Sequence, residues 1–496
     1  MIKILYQELI QKIINKHFSV LLRGIIENQD LFNKEIKKYL NNEVEKIILP
    51  TLCWQLYLDK SKGSILGKNT RERFKNFIFS KKETFLKNFP SLYKLIKKIL
   101  EEDVLFLFDS LEKFLNNKNL ISDFFKVKFK KIKYIKIPTQ SDRHTKGRRV
   151  IFFILDNQKI IKYNPHQFSK AKSFIEIINR FNKENEIQIK IPKSLETKDG
   201  WYSEFIQTKN KNISFLQAKK FYYQLGQILA LIYSLNGSDF HMENLIASKE
   251  KPIILDFESL FTNFSFYKNK KIENSLESTG IIEKRKSKQL TSAIFGGNKK
   301  IISLANPIIL FKNTDLMRIK YRTYSKIKLE NRIFKKNRKL WKPESFKNEM
   351  IKGFKDSYLW IEKNKEKIYK IIDSYQDTLT RVIVRRTSLY TLIEQNLIQP
   401  FNLQLNKFKR KIKKILRENS KKNHLISNEN LEKIISYETK EIASYSIPIF
   451  WQNIRKKDLF FEKGKIKNFF PKSAIELLIS KLEKINKKNL ESKSGT

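Results

Sequence analysis

Residues 237–248 read GSDFHMENLIAS, and residues 251–261 read KPIILDFESLF. The stretch before them, SFLQAKKFYYQLGQILALIYSLNG, repeats apolar residues at three and four, a helix that Gly237 ends. The second stretch is a short apolar run closed by Asp256, the pattern of a buried strand with an acid at its end. Between helix and strand lie Asp239, His241 and Asn244, in a chain with only five histidines. One reading is a capped polar turn between two elements. The other is a set of groups placed for chemistry.

The elements upstream favour chemistry. RRVIFFIL, DNQ and KIIKY read as two strands joined by a short polar turn. KSFIEIINRFNKENEI returns to helical period, and GWYSEFIQ is a short strand. The order is therefore hairpin, helix, short strand, long helix, polar loop and strand ending in an acid, the order of a kinase-like core. In phosphoryl transfer a loop acid orients the acceptor hydroxyl and takes its proton. An asparagine downstream and an acid after the next strand bind Mg2+. Asp239 fits the first role; Asn244, five residues on, and Asp256, twelve beyond that, fit the others. The first step matches the spacing H-R-D-x-x-x-x-N, and Asp256-Phe257-Glu258 stands where kinases carry D-F-G. His241 follows Asp239 by two instead of preceding it, the loop order of lipid-kinase-type enzymes. Each token alone is weak. Their ordered combination predicts a site for ATP and Mg2+.

Composition bounds the rest. At 496 residues, 41% hydrophobic and 12% aromatic, the chain can bury a large core in two to four domains. Its 13 glycines argue for helix over a turn-rich sheet fold. The expected fold class is α+β and mostly helical. Residues 1–130 are helical by period, with His17 a packed or surface residue. Residues 131–345 form the kinase-like, bilobal core, polar and irregular after 262. Residues 346–496 are mostly helical again, with breaks at Pro400, Pro448 and Pro471. The net charge of +50 attracts acidic partners, although lysines spread along the chain, as in KNKKIE, KKNRK and KRKIKK, also read as solvated faces. No zinc finger, RNP motif or basic zipper is present, so no nucleic-acid partner is expected. Cys53 is the one cysteine, which excludes an internal disulfide and a Cys/His zinc site. The start, MIKILYQELIQKII, reads as an amphipathic helix, not a signal peptide, and no apolar run reaches the roughly 18 residues of a membrane span. A cytoplasmic protein is expected.

Further segments narrow the reading. SDRHTKGRRVIFFI carries Asp142, His144 and Gly147; NSLESTGII carries Thr279; RVIVRRTSLY carries Arg381, Arg385, Thr387 and Tyr390; YSIPIFW follows. With GWYSEFIQ and the Asp239 loop, these resemble, in order, the motifs of the dehydratase domain of class II lanthipeptide synthetases, over residues 130–460 at least. The resemblance implies phosphorylation of Ser and Thr in a ribosomally made precursor peptide, then elimination of phosphate to dehydroalanine or dehydrobutyrine. It implies that Asp239 positions or deprotonates the hydroxyl, that His241 supports the site and that Asn244 and Asp256 bind Mg2+. Asp142 and His144 join the nucleotide site, while Arg381 and Thr387 serve the elimination. A precursor with an acidic leader is the implied partner. From the residues alone, Arg381 and Thr387 read as a basic helix face with a cap.

Two departures from the family pattern matter. The second hairpin strand of the family ends in Y-K-P-R, and here Tyr163-Asn164-Pro165-His166 stands there. Lys162, two residues upstream and on the same strand face as Asn164, is the candidate for the displaced cation. The family's synthetases also continue into a zinc cyclase, which a chain with one cysteine is not expected to carry; ring formation would fall to a separate cyclase. Two other readings share the loop: a kinase of a peptide or small molecule without elimination, and a basic peptide-binding pseudo-enzyme.

Overall fold

The computed structural model describes residues 1–18, 25–138, 141–166, 170–208, 211–267, 275–282, 292–294, 302–303, 307–321, 323–324, 329–403, 405–420 and 426–494. Helix dominates and the sheets are small and antiparallel, as the α+β expectation has it. The basic run KNKKIE at 268–273 and the end of the AIFGG stretch lie outside the described residues.

Six helices come first: α1 (Gln7–Phe18), α2 (Gln29–Ser61), α3 (Thr70–Ser80), α4 (Phe85–Asn88), α5 (Pro90–Asn116) and α6 (Lys118–Phe125). In α5 the buried residues Leu92, Ile96, Ile99, Leu100, Val104, Leu107, Leu111 and Phe114 recur at three and four, one apolar stripe. A five-stranded sheet packs on it: β1 (Ile132–Lys136), β2 (Ile151–Leu155), β3 (Ile160–Asn164), then, after α7 (Lys170–Glu184), β4 (Ser194–Thr197) and β5 (Gly200–Glu204), in the order β1-β2-β3-β5-β4. The expected hairpin is β2–β3, with Phe152 opposite Lys162. Strand alternation splits the sheet's residues between two faces. Phe153, Tyr163 and Tyr202 point to the helices, where Phe114 stacks on Phe153 at 4.0 Å between centroids. Phe114→Ala would cost roughly 3–5 kcal/mol. Lys162, Asn164 and Trp201 take the other face.

The second core gathers α7, α8 (Phe215–Ser234), the hairpin β6 (Leu245–Ser248) with β7 (Lys251–Ile254), and later helices. Two short pairs intervene, β8 (Ile302–Ser303) with β11 (Thr323–Tyr324) and β9 (Ile308–Leu310) with β10 (Arg318–Lys320). Then α9 (Lys347–Ser374) crosses α8 at glycines: a Cβ on Gly226 would sit 2.0 Å from the Met350 carbonyl, and one on Gly353 2.0 Å from that of Tyr223. Each helical glycine costs about 1 kcal/mol of propensity, which the close approach of the two helices requires.

After α9 come β12 (Leu379–Val382), α10 (Thr387–Leu397), α11 (Leu405–Ser420), α12 (Asn428–Ile442), β13 (Phe450–Asn453), β14 (Leu459–Phe461), β15 (Gly464–Ile466), α13 (Ala474–Glu483) and α14 (Lys487–Ser494). The breaks at Pro400, Pro448 and Pro471 hold: each stands between elements or opens a short 3-10 turn. The four-stranded sheet β12-β13-β14-β15 was not expected in this region. Its strands are three or four residues long, too short to show a period of two. Among the described residues no helix is long and apolar enough to cross a membrane.

Candidate active site

The Asp239 loop is fixed from three sides. α8 starts at a capping box, Ser214 with Gln217, and runs out at Ser234. Asn236 then turns left-handed, and the Gly237 amide donates to the Ile232 carbonyl at 2.8 Å. A Cβ on Gly237 would lie 2.6 Å from the Ile232 side chain, so only glycine fits. Asp239 itself has φ +64°, a conformation non-glycine residues pay for and that clusters at functional sites. Around it, Ser238 N donates to Ser259 O at 3.0 Å and Phe240 N to Thr279 O at 2.8 Å. Gly280, at φ +82°, backs the loop so closely that a Cβ there would touch Phe240 N at 3.0 Å. The STGII segment is therefore the floor under the loop.

The β6–β7 hairpin brings together residues twelve apart in sequence. Leu245 pairs with Ile254 and Leu255 N donates to Asn244 O at 2.9 Å, so Asn244 and Asp256 emerge from adjacent strand ends. Ser238, Asp239, Asn244, Asp256 and Glu258 line one small cleft. The Asn244 amide nitrogen donates to the Asp239 carbonyl at 2.8 Å, which leaves its oxygen as the acceptor for a cation. An amide oxygen and a carboxylate are the hard donors Mg2+ takes alongside substrate phosphates. Among the described residues no three His, Cys, Asp or Glu side chains form a complete metal cage.

Arg381, from a distant part of the chain, pairs with Glu258 of this cleft. It lies on β12, not on a helix face; its amide donates to Glu258 O at 3.0 Å and its guanidinium pairs with the Glu258 carboxylate. Burial pushes the Asp142 carboxyl up to about 6, with Glu258 and Glu243 adding and Arg381 opposing. Burial, then Arg381, holds His144 down to about 4, so its ring is neutral, with Nδ1 donating to the Ile447 carbonyl at 2.8 Å. Burial also raises the Asp239 carboxyl above the usual range, against His241 and Arg381. His241 Nδ1 accepts from the Glu243 amide at 3.2 Å, which puts the ring proton on Nε2, 3.7 Å from Asp239. Asp142, His144, Asp239, His241, Asn244, Asp256 and Arg381, drawn from three separate motifs, thus share one electrostatic site.

Lys162 and Thr387 have no described contact with that cleft. Lys162 Nζ lies 5.4 Å from the Trp201 ring centroid and pairs with no carboxylate among the described residues. Asn164 is buried, its Oδ1 accepting from the His166 amide at 3.1 Å. Thr387 opens α10 behind Arg386. Glu258 is the residue sequence reasoning left without a role. Its signal was its place after Asp256-Phe257. Glu394, fully buried on α10 with Oε1 unpartnered and its carboxyl raised by burial to about 8, with Asp142 adding to the shift, had no signal in YTLIEQNL.

Residues 89–453 match the family described as a domain of unknown function, DUF4135. The chain is also 29% identical over 343 residues to the lacticin 481/lactococcin biosynthesis protein LcnDR2 of Lactococcus lactis subsp. lactis. That match takes in 63% of this chain and 35% of the relative, so the chain spans about a third of the relative's length. With the family model covering most of its length and the Asp239 and Arg381 motifs in place, the chain belongs to the DUF4135 family, the LanM-type relatives its sequence resembles.

Proposed function

We propose that this chain works in lanthipeptide maturation and dehydrates Ser and Thr of a precursor peptide, using a kinase-like core of the lipid-kinase type. The observation that carries the reading is Arg381 in the electrostatic site of Asp239 and Asp142. A kinase also sets cations against the transferring phosphates; what an elimination adds is a group to hold phosphate as it leaves carbon, and Arg381 supplies a cation at this site. In the first step Asp239 orients the peptide hydroxyl and takes its proton as the oxygen attacks the γ-phosphorus of ATP and ADP leaves. Its raised pKa suits a base that must pass the proton on. Asn244 and Asp256 would hold Mg2+, which neutralises charge on the transferring phosphoryl group. In the second step a Cα proton is removed, the Cβ–O bond breaks, and phosphate departs to leave a C=C bond. Arg381 holds the departing phosphate by charge-assisted hydrogen bonds. Thr387, six residues on, and the Lys162 cation complete the set by motif and chemistry. That LcnDR2 is a lacticin 481/lactococcin biosynthesis protein supports the class of substrate.

The pseudo-enzyme reading has one observation of its own: Asn164 fills the family's lysine position, and Lys162 sits over Trp201. Mass spectrometry of a Ser/Thr peptide incubated with ATP and Mg2+ decides. Dehydration removes about 18 Da per site and phosphorylation alone adds about 80 Da. We expect the loss with the wild-type chain and no mass change with Asp239→Asn, whose rate should fall by about 10²–10⁴. An unmodified peptide with the wild-type chain would leave only binding.

A further inference from the structure

We propose that the outer face of α11 is the docking surface for an acidic segment of the peptide substrate, a proposal that rests on the peptide-modifying reading above. The charge of this chain is not spread evenly over its long helices. α2 carries five lysines and five carboxylates, α5 four lysines and five carboxylates, and α9 seven lysines and five carboxylates. α11, LNKFKRKIKKILRENS, carries seven Lys and Arg and a single Glu. α8 has two lysines and no carboxylate, so the excess on these helices reaches at most two, against six on α11.

Its packing shows which way those charges point. Phe408, Ile412 and Leu416, four apart, are buried against Tyr390, Ile393 and Leu397 of α10 and Ile435 and Ile442 of α12. Lys407, Lys409, Arg410, Lys411 and Lys414 face solvent, and none of them pairs with a carboxylate of the described residues. Arg417 is engaged, bidentate to Glu432 at 2.6 and 2.7 Å, and Lys413 feels the same carboxylate. Unpaired like charges on one face repel one another. An anionic partner relieves that repulsion.

The occupant is a peptide on three grounds. The exposed face has no aromatic residue on which bases could stack, since Phe408 points inward. A membrane-surface helix must offer its apolar face to lipid, and that of α11 is consumed by α10 and α12. The cleft, in turn, is a poor seat for an acidic segment: Asp239, Asp256 and Glu258 line it, and it offers no row of exposed cations like that of α11. An acidic recognition segment therefore needs a basic seat away from the cleft. α11 packs on α10, the helix that Thr387 opens and that follows β12 with Arg381 in the chain.

The test uses the full chain and a fluorescein-labelled synthetic peptide rich in Glu and Asp and free of Ser and Thr. Fluorescence anisotropy without ATP reads binding alone, so it succeeds or fails independently of the chemistry. The variant joining Lys409→Glu, Arg410→Glu, Lys411→Glu and Lys414→Glu should weaken binding by about tenfold or more and flatten its salt dependence. A matched control joining Lys352→Glu, Lys363→Glu, Lys367→Glu and Lys370→Glu, all exposed on α9, should change it less than about twofold. Far-UV circular dichroism confirms that both variants are folded. Equal losses in the two variants would reduce α11 to general charge and overturn the proposal. So would unchanged peptide binding in the α11 variant, including the case where it loses affinity for a single-stranded oligonucleotide or anionic vesicles. If docking behaves as expected while ATP and Mg2+ leave a Ser/Thr peptide unmodified, the dehydratase reading fails and the docking face stands.

Discussion

Arg381 and Arg385 are four residues apart in one motif, and each pairs with a glutamate from another element. Their surroundings differ. The Arg381–Glu258 pair is 15% and 16% exposed, opens on the cleft and shares its field with Asp142 and Asp239. The Arg385–Glu438 pair is 2% and 0% exposed; one Glu438 oxygen takes both the Arg385 Nε at 2.8 Å and the Tyr390 hydroxyl at 2.6 Å. Residue type does not assign a role here; access does. The pair at the cleft is within reach of solvent and, under the proposed function, of a departing anion. The sealed pair ties α12 to the loop between β12 and α10, and so sets where Arg381 and Thr387 sit.

The largest expected effect separates the two pairs. Arg385→Met leaves Glu438 charged and buried without its cation, a loss of about 3–5 kcal/mol of unfolding free energy. Arg381→Met leaves Glu258 partly hydrated and should cost much less stability. Its effect falls on the product: we expect peptides about 80 Da heavier to accumulate, since phosphorylation continues while elimination slows. Guanidinium titration and mass spectrometry on both variants check this. Equal stabilities, or dehydrated product from Arg381→Met at the wild-type rate, would erase the distinction.

A smaller effect sharpens it. Tyr390→Phe removes one hydrogen bond to the buried Glu438 carboxylate, worth about 1.5–3 kcal/mol when the acceptor is charged. The ratio of phosphorylated to dehydrated peptide should not move, because Tyr390 touches Glu438 and not the cleft. A shift in that ratio without a stability loss would make Tyr390 part of the chemistry.

The sequence exposed one of these regions far better than the other. The Asp239 loop sits between a long amphipathic helix and an apolar run, and both have strong periods, so their ends could be read with the acid, histidine and asparagine in place. The β2–β3 hairpin and the Gly237 stop were legible for the same reason. RVIVRRT carries no such signal. β12 is four residues long and gains its identity from pairing with β13, some seventy residues away. A strand defined by a distant partner reads locally as a basic helix face. The roles of Glu258 and Glu394 were hidden for a related reason, since burial and neighbours from other elements create them.

The smallest expected effect is on the pH dependence of stability. Asp142, raised in the fold to about 6, stays protonated there between about pH 4 and 6 while the unfolded chain releases the proton. The fold then holds more protons than the unfolded state, and stability falls as pH rises through this window. His144, held down to about 4, behaves oppositely. The unfolded imidazole is protonated below about 6.5 and the folded one is not, so its contribution is present at neutral pH and is lost as pH falls toward 4. The two slopes oppose each other, while Glu394, raised to about 8, adds a second falling slope over the same window. Relative to the wild type, the change in stability from pH 4.5 to 6.5 should be about 2 kcal/mol more positive in Asp142→Asn and about 2 kcal/mol more negative in His144→Asn. The sealed pair supplies the contrast: burial already raises the Glu438 carboxyl and Arg385 opposes that, so Arg385→Met should cost more stability at pH 6.5 than at pH 4.5. Denaturant titrations at the two pH values measure all three slopes. A pH dependence unchanged from the wild type in both Asp142→Asn and His144→Asn would mean that burial around Arg381 does not shift these two groups.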